Sequence, residues 1–341
     1  MGDFFITKGE RKMKKTLLAG ISVLTLLALG ACGGGSNDTT DSSGGAANSD
    51  AKHVGVLQLV QHASLDGAYE GFKEGLKEGG YTEGENLVID YQNAQNNQDN
   101  LKSMSEKLVK DKNDLLLGIA TPSAQSLLNA TTDIPIVVTA VTDLEEAKLV
   151  KSDKEPGGNL TGTTDMVPID KQIDLLLSII PDAKKVGIMY NAGEANSKIQ
   201  ADLAQEALEK AGVEVVTKTA NTTNDVQQVT ESLANEVDGI YVPTDNTFAS
   251  AASIIGEVVK EKKIPLVAGS TDQVEAGGLA TVGIDYKKLG KQTGLMAAKI
   301  LDGDAEPATT PVESADSLEL VVNKDMAEAL GIDPESIKEP A

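Results

Sequence analysis

The sequence predicts an α/β protein made of two similar doubly wound parallel-sheet lobes joined by a multi-strand hinge. Three observations carry that expectation. Short apolar runs alternate with helical stretches, the pattern of βαβ crossovers and a parallel sheet. Segments of the first half recur in order in the second: Lys185-Val186-Gly187-Ile188 echoes His53-Val54-Gly55-Val56, and Ala211-Gly212-Val213 echoes Gly79-Gly80-Tyr81, both at an offset of 132. The chain has 341 residues, beyond the roughly 250–300 at which a single core stops growing.

In order along the chain, Val54–Val60 is the first apolar run. A helix follows over Leu65–Glu78, with Ala68, Phe72, Gly75 and Leu76 spaced to share one face. Leu87–Tyr91 reads as a strand, Leu101–Lys110 as a helix and Asp114–Ala120 as a strand. A helix from Ser123, opened by Pro122, and the strand Ile134–Val141 complete the half. In the second half Asp238–Thr244 answers Asp114–Thr121, and Ile264–Asp272 answers Ile134–Asp143. Gly157, Gly158 and Pro168 mark the junction. A third passage, with a strand over Thr281–Tyr286, a helix over Leu289–Asp302 and a strand over Leu318–Val322, falls outside the repeat and is expected to cross back between the lobes. Lobe 1 is therefore expected at 52–165 plus about 284–312, and lobe 2 at about 166–283 plus 313–341.

The segment before the repeat has a different character. Met13-Lys14-Lys15 precedes a mostly apolar run that ends in Leu29-Gly30-Ala31-Cys32, the layout of a secretory signal. The run is short for a membrane span, which needs about 20 residues. Residues 1–31 are thus expected to be a signal peptide, with translation starting at Met13. The Gly/Ser/Asx-rich stretch 32–51 is expected to be a flexible tether.

Composition narrows the chemistry. There are 30 Lys+Arg against 52 Asp+Glu, for a net charge of −22, and loss of residues 1–31, which hold five basic and two acidic side chains, would leave −25. Nucleic-acid binding rests on Lys/Arg neutralising phosphates, so a chain this acidic is not expected to bind it. One Cys and two His exclude an internal disulfide or a CxxC site and leave little for a metal. No GxSxG elbow, P-loop or GxGxxG after a strand is present. Neither a cofactor nor a catalytic constellation is expected, and the chain does not read as an enzyme.

In open parallel sheets, ligands bind beyond the carboxyl ends of the strands. Equivalent ends of the two halves carry the polar residues here. After the first strands come Gln61-His62-Ala63-Ser64 and the loop from Asn191 through Glu194 to Asn196 and Ser197. After the next come Thr121-Pro122-Ser123 and Thr244-Asp245-Asn246, and after the last Thr142-Asp143 and Thr271-Asp272. Ser123 opens a helix, so its hydroxyl and the free helix N–H groups form an anion site, with Thr121 and Thr142 as further donors. The same residues would equally serve as a helix cap and turn formers. Across the gap the equivalent positions are acidic, Asp245 and Asp272, with Asp285 as a further candidate. That asymmetry suits a zwitterion, carboxylate on one lobe and ammonium on the other. Asn196 and Ser197 could cap a helix or reach the cleft. His62, Tyr190 and Phe248 could face a ligand or simply pack.

The strings Gly55-Val56-Leu57-Gln58, Ala120-Thr121-Pro122-Ser123-Ala124-Gln125, Thr139-Ala140-Val141-Thr142-Asp143, Tyr241-Val242-Pro243-Thr244-Asp245-Asn246 and Gly283-Ile284-Asp285-Tyr286 resemble the substrate-binding lipoproteins of ABC importers, in particular the tryptophan/tyrosine (TrpX-like) group. The resemblance spans 53–332 and implies the type I periplasmic-binding-protein fold. It implies a ligand captured between the lobes by hinge closure and passed to an ABC permease with its ATPase. Leu29-Gly30-Ala31-Cys32 resembles the lipobox of bacterial lipoproteins, which implies lipidation of Cys32 and extracytoplasmic anchoring to the cell membrane. A lipid tether is most useful where no outer membrane retains a soluble protein, so a Gram-positive source is expected, as is a monomer. The family pattern carries the ligand carboxylate onto Ser123 and Thr142, beside Thr121, and the ammonium onto Asp245 or Asp272. The implied ligand is an aromatic amino acid, with a nucleoside or a branched-chain amino acid as the alternative. A sensor or a surface enzyme on the same fold are the alternative roles.

Overall fold

The computed structural model describes residues 51–340. From β1 (Lys52–Gln58) the chain runs through α1 (Ala63–Glu78), β2 (Leu87–Asn93), α2 (Gln98–Lys110), β3 (Leu115–Ile119), α3 (Thr121–Ala130), β4 (Ile136–Val141) and β5 (Leu160–Thr164). The middle of the chain comprises α4 (Ile169–Ile179), β6 (Lys185–Tyr190), α5 (Ala195–Lys210), β7 (Glu214–Thr219), α6 (Thr223–Ala234), β8 (Gly239–Val242), α7 (Asn246–Ser250), α8 (Ala252–Lys262), β9 (Leu266–Ala268), α9 (Thr271–Ala276) and β10 (Ala280–Gly283). The last elements are α10 (Tyr286–Asp302), β11 (Glu313–Ser314), β12 (Glu319–Val322) and α11 (Lys324–Leu330).

Two six-stranded sheets result, ordered β11-β5-β4-β3-β1-β2 and β12-β10-β9-β8-β6-β7. Every pairing is parallel except that of β10 with β12. Helices cover both faces of a parallel sheet, so its inner strands read as continuous apolar runs rather than alternating ones. β3 (Leu-Leu-Leu-Gly-Ile) and β4 (Ile-Val-Val-Thr-Ala-Val) are buried at every position.

The third passage does not lie outside the repeat, as the sequence led us to expect. β10 occupies in its sheet the place that β5 occupies in the other. Each is followed by a helix that leaves its own lobe: α4 packs on β8, β9 and β10 of lobe 2, and α10 packs on α1, β4 and β5 of lobe 1. The duplication is hidden by loop length. Eighteen residues (142–159) join β4 to β5 but only eleven (269–279) join β9 to β10, and Leu160 and Ala280 start equivalent strands at an offset of 120. The hinge is three chain crossings, at 165–168, 284–285 and 315–318. The third comes after Ser314, because Glu313 and Ser314 still pair with Thr163 and Thr164 of lobe 1.

α10 meets α1 at backbone contact. Gly71 and Gly75 lie against the carbonyls of Lys287 and Lys291, and Gly290 and Gly294 against those of Ala68 and Phe72. This couple ties the second hinge crossing to the helix that begins at the cleft.

Candidate ligand-binding cleft

The carboxyl ends of the two sheets face each other across a tight cavity of about 20 Å³, so the lobes must part further to admit a ligand of ordinary pocket size. Lobe 1 brings His62, Ser64 and Leu65 at the start of α1, Ala140 at the end of β4 and Asp165 just past β5. Lobe 2 brings Asn196, Thr244, Asp245 and Asn246, with Ser270 and Gln273 behind them. Tyr286 enters from the second hinge crossing.

On the lobe 1 side, neither α1 nor α3 has a side-chain cap at its start. Free N–H groups and the positive end of the helix dipole therefore remain there, a setting that favours an anion. Ser123, fully buried, and Thr121 both lie in the first turn of α3, and neither hydroxyl has a partner. The two strands that end beside them carry backbone strain. Ala120 has φ 78° and ψ 152°, a region that belongs to glycine, and Ala140 has φ 56° at a break in the β4–β5 register. Such conformations cost about 1–3 kcal/mol each and gather at functional sites.

On the lobe 2 side, two buried carboxylates organise the five-residue α7. Glu194 accepts from the backbone N–H of Asn246 and Thr247 (3.1 Å each), from the Asn246 amide (2.6 Å) and from the Thr247 hydroxyl (2.9 Å). Asp245 caps α7 by accepting from Phe248 N–H (2.8 Å) and also accepts from Asn191 N–H (2.6 Å). Burial first, and the Glu194 charge second, push the Asp245 carboxyl upward. Asn196 donates to the Thr244 carbonyl (3.0 Å) and to Ser197 (3.2 Å), while its own Oδ1 has no partner.

Among the described residues, three side-chain contacts join the lobes across the cleft. His62 Nε2 lies 3.2 Å from Asn246 Oδ1, Asn96 donates to the Thr247 hydroxyl at 3.4 Å, and Gln200 donates to the Thr142 hydroxyl at 3.2 Å. Each closes the gap between the sheets, so this is a closed arrangement. Burial lowers the pKa of His62, against the raising effect of its Asn246 contact and of the charges on Glu194, Asp66 and Asp272.

The remaining candidates from the sequence sit elsewhere. Thr142 is buried beside the cavity with its hydroxyl engaged by Gln200. Asp143 caps the following turn by accepting from Glu146 N–H (2.9 Å). The Thr271 hydroxyl donates to the Ile284 carbonyl (3.1 Å). Asp272 and Asp285 line a separate outer groove with Glu319 and Lys287, and Asp285 caps α10. Tyr190 and Phe248 pack against the core. Sequence reading passed over Asp165 and Gln200, and noted Glu194 and Tyr286 without giving either a role. Cys32, the signal and the tether lie outside the described residues.

Against known proteins, the sequence profile of the family described as ABC transporter substrate binding protein matches residues 53–340. The chain belongs to that family. This substrate-binding protein is 42% identical over 324 residues to a tyrosine-binding protein of Clostridioides difficile (strain R20291), spanning 94% of this chain and 92% of the relative. Among solved structures it matches an ABC domain from Streptococcus pneumonia in complex with L-Trp, at 40% identity and a TM-score of 0.80, over 85% of this chain and 98% of that one. It also matches the ligand-free, open structure of a Clostridium difficile substrate-binding protein with adhesive properties, at 45% identity but a TM-score of 0.65, over 83% and 95%. The better superposition falls on the ligand complex despite its lower identity, in keeping with the interlobe contacts above. The relatives are solute-binding proteins, the fold is that of the type I periplasmic binding proteins, and membership implies extracytoplasmic work for an ABC transporter. Among the described residues no helix is long and apolar enough to cross a membrane, and no cluster of three or more His, Cys, Asp or Glu could hold a metal.

Proposed function

We propose that this substrate-binding protein captures an aromatic L-amino acid, tyrosine or tryptophan, between its lobes and presents it in the closed form to an ABC permease. The observation that carries the reading is a group of buried polar atoms left without partners: His62 Nδ1, Asn196 Oδ1 and Asp165 Oδ1 on the cavity wall, and Thr121 Oγ1 and Ser123 Oγ in the first turn of the neighbouring α3. Buried polar groups in folded proteins are nearly always paired, so these await a molecule that supplies both acceptors and donors. A carboxylate fits the hydroxyls and free N–H groups at the start of α3. The only arginine of the chain is Arg11, so that carboxylate would be held by helix N–H groups and hydroxyls instead of a guanidinium. Kinship to a tyrosine-binding protein and to a domain solved with L-Trp supports the aromatic side chain.

Isothermal titration with L-Tyr, L-Trp, L-Phe and L-Leu tests the proposal. Saturable one-to-one binding of an aromatic member, at least about tenfold tighter than L-Leu (about 1.4 kcal/mol), is expected. No heat and no melting shift with millimolar aromatic amino acid would sink it.

The proposal extends to location. Cys32, at the end of Leu29-Gly30-Ala31-Cys32, is the lipidated N-terminus of a monomer whose residues 32–51 tether it to the membrane, as suits a Gram-positive envelope. Radiolabelled palmitate should mark the wild-type protein and not Cys32→Ser; equal labelling would refute the anchor.

A further inference from the structure

Three carboxylates are buried along the cleft, and their oxygens are used differently. Both oxygens of Glu194 and both of Asp245 accept hydrogen bonds from neighbouring N–H and O–H groups of lobe 2. Those two are structural fasteners of α7. Asp165 is not. Its Oδ2 accepts the Tyr286 hydroxyl at 2.6 Å, while its Oδ1 is buried without a partner. The Thr142 hydroxyl, which accepts from Gln200 and keeps its own proton free, lies close enough to the carboxylate to favour its charged form, yet no partner reaches Oδ1 within hydrogen-bond distance.

No internal cation answers this charge. The folded part contains no arginine, and among the described residues no lysine pairs with Asp165; the ion pairs lie at the surface. An ionised carboxylate left this way is costly, and a closely held cation offsets the cost. The same cavity presents a second free acceptor, Asn196 Oδ1, fixed in that orientation because its amide nitrogen already donates to Thr244 and Ser197. Two empty acceptors, one charged, define a site for a small cation rich in N–H donors.

Position adds to the argument. Asp165 follows β5, and Ser123 follows β3, with β4 alone between them. Both therefore sit at strand ends of the same lobe, on the side of the sheet that faces the cleft. We infer that Asp165, oriented by Tyr286 and assisted by Asn196, receives the primary ammonium of the ligand and sets the preference for α-amino acids over their deaminated counterparts. This deepens the amino-acid reading and rests on it for the carboxylate. It moves the ammonium role away from Asp245, whose oxygens are occupied, and from Asp272, which lines another groove. Because Asp165 lies on the first hinge crossing and Tyr286 follows the second, the ammonium lands on the bond that ties two crossings together.

The test compares wild type, Asp165→Asn and Tyr286→Phe by titration with L-Tyr, tyramine and 3-(4-hydroxyphenyl)propionate, alongside melting of the ligand-free proteins. Wild type is expected to take L-Tyr at least about 100-fold more tightly than the deaminated acid. Asp165→Asn should lose about that factor on L-Tyr, and any tyramine binding with it, while the deaminated acid changes by less than about threefold. Its ligand-free melting temperature should hold or rise, since an unpaired buried charge is gone. Tyr286→Phe should weaken L-Tyr less than Asp165→Asn does. Loss of both L-Tyr and the deaminated acid together with a lower melting temperature would assign Asp165 a structural role and overturn the inference, as would unchanged L-Tyr affinity. Tyramine bound through Asp165 with no L-Tyr binding would keep the ammonium site and reject the amino-acid reading. Wild type that binds none of the three overturns both.

Discussion

At the residue scale the cleft works by contrast between groups that are satisfied and groups that are not. Glu194 and Asp245 are saturated by short hydrogen bonds, whereas Asp165, Asn196, Ser123 and Thr121 each keep an empty valence. A pH dependence follows. Burial, only partly opposed by the Tyr286 and Thr142 hydroxyls, raises the Asp165 pKa in the ligand-free cleft, and a bound ammonium would draw it back down. Binding should then release a proton, so affinity is full above the raised value and falls as pH drops through it, beginning above the ordinary carboxylate value of about 3.9. His62 acts in the same direction, because closure lowers its pKa and acid therefore favours the open form below about 6.5. Tyr286 and Asp245 share the cavity wall, with Glu194, Asp66 and Asp272 nearby. Titration of L-Tyr between pH 4.5 and 8 should show affinity falling toward acid, with Asp165→Asn removing the lower part of the profile and His62→Gln the upper part. A flat wild-type profile would contradict this. The sequence pointed to Ser123, Thr121, His62 and Asn196 because loop polarity beyond strand ends is visible in a string of residues. Asp165 escaped notice because Thr163-Thr164-Asp165 sits just before Pro168 and reads as a lobe junction; only the sheet order places it at the end of a strand facing the cleft.

At the element scale the informative pair is α1 with α10. Their glycines recur every four residues, at 67, 71, 75 and 79 and at 290 and 294, and so lie along one face of each helix. A Cβ on Gly71 would stand 1.9 Å from the Lys287 carbonyl oxygen, and one on Gly290 1.9 Å from that of Ala68, whereas a Cβ on Gly67 would meet nothing closer than 3.8 Å. Gly71→Ala is therefore expected to destabilise the fold by at least about 3 kcal/mol in urea titration, through backbone displacement. Gly67→Ala, in the same helix, should stabilise it by about 0.5–1 kcal/mol by removing helix entropy cost. Equal effects would contradict the close-contact account. Helices and strands of the first half were legible to within a few residues as far as β4, since hydrophobic periodicity fixes them locally, but β5, Leu-Thr-Gly-Thr-Thr, has one large apolar residue and was not read as a strand. The exchange of α4 and α10 between lobes was not, because which sheet a helix packs on depends on the loop before it and on surfaces far away in sequence.

At the scale of the whole molecule, two sheets with facing carboxyl ends and three hinge crossings make a clamp. Interlobe hydrogen bonds such as His62–Asn246 and Gln200–Thr142 contribute only about 1 kcal/mol each. They also compete with water in the open form. Driving closure from 1:99 to 99:1 needs about 5.5 kcal/mol of differential binding, so the ligand must supply most of it by filling the empty valences on both lobes at once. The central claim is that the molecule closed upon is an aromatic L-amino acid. Native mass spectrometry of the freshly purified protein, followed by denaturation and mass analysis of what is released, tests it most directly. The account predicts one added mass per chain, released unchanged as tyrosine, tryptophan or phenylalanine, or regained on adding one of these to stripped protein. Release of a sugar or nucleoside, or failure to regain any mass with millimolar aromatic amino acid, would contradict it.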